Sequence, residues 1–146
     1  MPTINAAGLA IVKQCEGCEL SAYPDPGSGG EPFSIGFGHT DPGVIHLGLT
    51  ITQEQAASLL LQDLAVAEKC VNAACTHAIT PNQFSALVSF TYNVGCEAME
   101  GSTLMRLVNA GDMTGAADEF GKWVNSPPLP GLVARRQAEK ELFLTP

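Results

Sequence analysis

The sequence predicts an α+β fold that is mostly helical, with a β-rich insert near the N-terminus. Three observations predict it. Apolar residues recur at helical spacing in several capped segments, Gly and Pro crowd between residues 20 and 50, and an alternating stretch follows them. Hydrophobic residues make up 45% of the 146 and charged residues 15%, a balance that buries a core rather than leaving a disordered chain.

The first helix starts after Asn5 as N-cap, with Ile4 and Leu9 placed as a hydrophobic staple. Ile4, Gly8, Ile11, Val12, Cys15 and Cys18 share its inner stripe, so both cysteines are expected to be buried and inert. Gly17 suits the residue just past the helix, which puts Glu16 in the last turn. The segment Pro-Asp-Pro-Gly-Ser-Gly-Gly-Glu-Pro (24–32) reads as a turn, and Phe33 to His39 as a twisted hairpin.

From Thr52 the helical period returns. Thr52 and Gln55 form a capping box, and Ala56, Leu60, Leu64, Ala67 and Val71 make one apolar stripe. Continued to about residue 74, this helix is about 33 Å long, enough to connect a small lobe to a larger helical one. Thr80, Pro81 and Gln83 open the next helix and Gly95 ends it. Further helices begin at Ser102 and near Asp112 or Thr114, and Pro127, Pro128 and Pro130 precede a last one from about Leu132 to Phe143.

The charge excludes one class of partner. Seven Lys and Arg against 15 Asp and Glu give a net charge of −8, whereas phosphate binding needs a basic surface, so no nucleic-acid partner is expected. No apolar run reaches the roughly 18 residues a membrane span needs, so no membrane insertion is expected. Met1 to Cys15 lack the pattern of a secretory signal.

Five cysteines leave at least one outside a disulfide in a monomer. Cys15 and Cys18 have CxxC spacing without a second pair to complete a zinc site. Cys70 and Cys75 could pair locally only if the helix ends between them, and Cys96 could partner either. Three scattered histidines give no metal cluster; His46 and His77 read as surface residues. No metal and no cofactor are expected. Phe120 and Trp123, at i, i+3, read as core rather than as a sugar platform.

Two carboxylates stand out for chemistry. Glu16 faces the negative end of its helix dipole, which disfavours the ionised form and suits a general acid. Asp25, between two prolines in a wet turn, suits the opposite role of an ionised proton acceptor.

The segment Glu16-Gly-Cys-Glu-Leu-Ser-Ala-Tyr-Pro-Asp25, followed by Ser34-Ile-Gly-Phe-Gly-His-Thr40, resembles the catalytic signature of the phage-type lysozymes, glycoside hydrolase family 24. The similarity continues through Ser89 to Gly95, Ser102 to Asn109, Gly115 to Phe120 with Trp123, and Leu129 to Arg136. It implies a lysozyme-like two-lobe fold in a single domain, 1–146. The β-containing lobe would cover about 17–51, and the helical lobe about 76–146 plus the N-terminal helix.

The resemblance implies a muramidase that hydrolyses the β-1,4 bond between N-acetylmuramic acid and N-acetylglucosamine in peptidoglycan. Glu16 would be the general acid, Asp25 the base or stabiliser toward the attacking water, and Ser34, standing at the family's Thr, would help hold that water. Tyr92 and Asn93 would contact saccharide, and one of Arg135 and Arg136 would pair with the acid. His39 would hold the hairpin by a hydrogen bond or ion pair. Eight residues, three more than the family pattern, separate Asp25 from Ser34.

An inverting mechanism is implied, as is a monomer that accumulates in the host cytoplasm and depends on a holin pore to reach the periplasm and wall. A lytic transglycosylase using Glu16 alone and a catalytically inactive peptidoglycan-binding domain are the competing readings.

Overall fold

The computed structural model describes residues 2–146. In chain order the elements are α1 (Ala6–Glu16), β1 (Glu19–Tyr23), β2 (Ser34–Gly36), β3 (His39–Thr40), α2 (Gln53–Ala74), α3 (Pro81–Val94), α4 (Cys96–Glu100), α5 (Thr103–Asn109), α6 (Met113–Glu119) and α7 (Pro130–Leu144). The chain divides into two compact units: residues 16–63, and residues 1–15 with 64–146. It passes from the first to the second within α2.

The 16–63 unit is built on a three-stranded antiparallel sheet in the order β1-β2-β3. Ile35 and Phe37 are buried with Ile45 and with Ala56 and Leu60 of α2. The alternation from Phe33 to His39 becomes β2 and β3, joined through Gly36, Phe37 and Gly38. β1 lacks such alternation: its first three residues are exposed and its last two half-buried. It pairs with β2 at Glu19–Gly36 and Tyr23–Ser34 across a bulge, which lengthens β1 relative to its partner.

The second unit is helical. Its start is tied down by Asn5, whose Oδ1 accepts the Gly8 amide at 3.0 Å and whose own amide donates to Ser85 Oγ at 2.9 Å. α3 is its central helix, buried continuously from Phe84 to Thr91. Phe90 meets Phe120 and Trp123 edge-on, with ring centroids 5.5 and 5.3 Å apart; Phe120 is buried core as expected, whereas Trp123 is only half-buried. The expected caps form at Thr52, Thr80, Ser102 and Asp112. Cys70 and Cys96 form a disulfide; α2 runs past Cys70 to Ala74, and the Cys75 amide still donates to Val71 O at 2.9 Å, so helical hydrogen bonding persists up to Cys75.

Two expectations need correction, and one element was not foreseen. Gly17 takes φ +67° and stops α1 at Glu16, so Cys18 lies beyond the helix, half-buried, and Cys15 in the last turn is exposed. Neither extends a buried stripe. α7 begins at Pro130 rather than Leu132, because proline fits the first turn of a helix, where its missing N–H is not needed. A short helix, α4, also follows Gly95 directly.

Candidate active site

Four of the expected site residues, Glu16, Asp25, Ser34 and His39, lie in the 16–63 unit. Glu16 is the last residue of α1 and is half-buried. Its Oε1 stands 3.1 Å from the point where a Cβ on Gly38 would sit, so its carboxyl lies against the turn of the β2–β3 hairpin. That turn is braced from the other side of the hairpin: His39 Nδ1 is 2.8 Å from Oδ2 and 3.0 Å from Oδ1 of Asp63 on α2. His39 thus links the hairpin to α2 by a hydrogen bond.

The lengthened turn folds around Asp25. Its Oδ2 accepts the amides of Gly27 at 3.1 Å and Ser28 at 2.9 Å, its backbone N–H donates to Gly30 O, and Gly29 donates back to Asp25 O. The aspartate is thus half-buried and locked by local amides, and the extra residues form a closed loop beside it. Ser34 pairs with Tyr23 at the loop end of the β1–β2 ladder, so Asp25 and Ser34 occupy the same end of the sheet. The opposite end of that ladder, at Glu19–Gly36, leads back to Glu16.

The other expected residues belong to the helical unit. Tyr92 and Asn93 occupy the last turn of α3, half-buried and exposed respectively. Arg135 and Arg136 are both buried and share the fully buried carboxylate of Glu139, four and three residues further along α7. Ser89 Oγ donates to the same carboxylate at 2.6 Å, and Arg135 Nη2 donates to Ser89 O at 3.0 Å. Arg136 also donates to Trp123 O at 3.0 Å and to Asn93 Oδ1, and its guanidinium stands 5.1 Å from the Phe90 ring centroid. With Oδ1 engaged, Asn93 has its amide N–H groups left to donate.

Asp63, Glu139, Ser89 and Gly38 were not among the expected site residues. Arg135, Arg136 and Glu139 are at i, i+1 and i+4, a helical spacing that marks possible ion pairs though not their burial. Asp63 carries no such mark. Among the described residues no group of three or more His, Cys, Asp or Glu is arranged to hold a metal ion, and no helix is long and apolar enough to cross a membrane.

The family described as Phage lysozyme matches residues 13–139, a span that holds every one of these site residues. The chain belongs to the phage lysozyme family. It is a lysozyme-type glycoside hydrolase, mostly helical with a small antiparallel sheet. It is 40% identical to an endolysin of Acyrthosiphon pisum secondary endosymbiont phage 1, over 96% of this chain and 97% of that one. An endolysin of Salmonella phage P22 is 37% identical over 99% of this chain and 100% of its own. Among solved structures, the muramidase domain of SpmX from Asticaccaulis excentricus has a TM-score of 0.90, 38% identity and full coverage of both chains.

Proposed function

We propose that this phage lysozyme is an endolysin that hydrolyses the β-1,4 bond between N-acetylmuramic acid and N-acetylglucosamine in peptidoglycan, with Glu16 as proton donor. The observation that carries the reading is the placement of the Glu16 carboxyl, fixed at the end of α1 and against the hairpin turn at Gly38. A general acid works only when its proton is held within hydrogen-bond reach of the leaving oxygen, and two backbone elements hold this one.

In the proposed reaction Glu16 gives its proton to the glycosidic oxygen as the C1–O bond breaks. Water attacks C1 from the opposite face, and Asp25 accepts its proton or stabilises the positive charge that develops on the sugar. Ser34 supplies a hydroxyl that accepts from or donates to that water. Inversion needs room for the water between the two carboxyls, and in this reading Asp25 acts from the turn whose amides hold its Oδ2. Tyr92 and Asn93 contact the glycan, Asn93 with the amide that Arg136 orients.

Mass spectrometry of digested peptidoglycan tests the reading. Hydrolysis leaves reducing ends that carry the added water. Anhydro ends would instead identify a transglycosylase, and binding to peptidoglycan without released fragments a non-catalytic domain. The chain is further proposed to act as a monomer and to reach the wall from the host cytoplasm through a holin. Expression without a pore-forming protein should then leave a culture turbid until chloroform is added, and lysis before that point would contradict the holin requirement.

A further inference from the structure

The two glycines that close the β2–β3 hairpin answer to different neighbours. Gly36 has φ +67°, and a Cβ there would meet Ala56 at 3.4 Å and Ile51 at 3.6 Å, ordinary contacts with apolar side chains. Gly38 has φ +84°, and a Cβ there would meet Glu16 Oε1 at 3.1 Å and the Glu16 carboxyl carbon at 4.0 Å. Apart from its own chain neighbours, no other described residue comes within 4 Å of that point.

Positive φ by itself explains a preference for glycine, with asparagine the usual substitute. It does not require a bare Cα. The carboxylate contact does, because a methyl group at 3.1 Å must push either the carboxyl or the turn away by a few tenths of an ångström. We propose that Gly38 is a positioning residue for the reaction: its missing side chain lets the Glu16 carboxyl rest on the hairpin turn in the orientation that protonates the glycosidic oxygen. The inference rests on the reading of Glu16 as proton donor. A displaced acid loses proton transfer while the glycan contacts stay intact, so the loss falls on kcat and spares KM.

The test compares Gly38→Ala, Gly38→Asn and Glu16→Gln on soluble glycan fragments of peptidoglycan, with thermal unfolding of each. Alanine and asparagine place the same Cβ against Glu16 but differ in how well they accept positive φ. Both should lower kcat by about 10- to 100-fold at parental KM, while Gly38→Asn unfolds at the higher temperature of the two. Parental kcat in either folded variant would overturn the inference, as would a kcat that recovers in step with the unfolding temperature. An inactive Glu16→Gln beside fully active Gly38 variants rejects the inference alone. An active Glu16→Gln rejects the reading of Glu16 and the inference with it.

Discussion

Glu16 owes its position to glycines on either side of it in space. Gly17 ends the helix and turns the chain into β1, and Gly38 leaves room for the carboxyl on the hairpin. The hairpin is tied to α2 by a long-range hydrogen bond, His39 to Asp63, between half-buried side chains 24 residues apart. Asp63→Ala should therefore destabilise the fold by about 1 to 2 kcal/mol, measured by urea unfolding. No change in midpoint would show that the pair is not holding the turn. Glu16, Asp25, Ser34 and His39 were legible because they fall in one contiguous motif. Asp63 was not, because it lies on the flank of a helix whose stripe advertises only Ala56, Leu60 and Leu64, and pairing across 24 residues leaves no periodic trace.

Among the elements, the helix boundaries were legible wherever a cap is local. Thr52 with Gln55, Thr80 with Gln83, Ser102 with Met105 and Asp112 with Gly115 each close within three residues, and each forms. β1 was not legible, since a mostly exposed strand needs no alternation and its pairing depends on β2. α7 shows the other limit. Its spacing of Arg135, Arg136 and Glu139 is visible, but the spacing cannot tell a solvated face from the buried cluster that Ser89 completes. Removing the shared carboxylate would take away a buried counter-charge that both guanidiniums use. Glu139→Ala is predicted to cost about 3 to 5 kcal/mol, read as a lower unfolding midpoint in urea; a loss below about 1 kcal/mol would show that the cluster is not a buried charge network.

Of the two units of the molecule, the small sheet-based one carries Glu16 and the helical one carries Tyr92, Asn93 and the arginines. Fold class followed from patterning that both units obey. The disulfide did not, because an odd number of cysteines leaves several pairings open and only the fold brings Cys70 to Cys96. The chemistry of this lysozyme is proposed to begin with the proton on Glu16. Glu16→Gln keeps the size and shape of the side chain and removes that proton, so the most direct measurement is the clearing of chloroform-permeabilised cells by the parent and this variant at equal concentration. A parental unfolding midpoint with clearing abolished is expected, and a Glu16→Gln protein that still clears cells at a large fraction of the parental rate would rule out Glu16 as the proton donor.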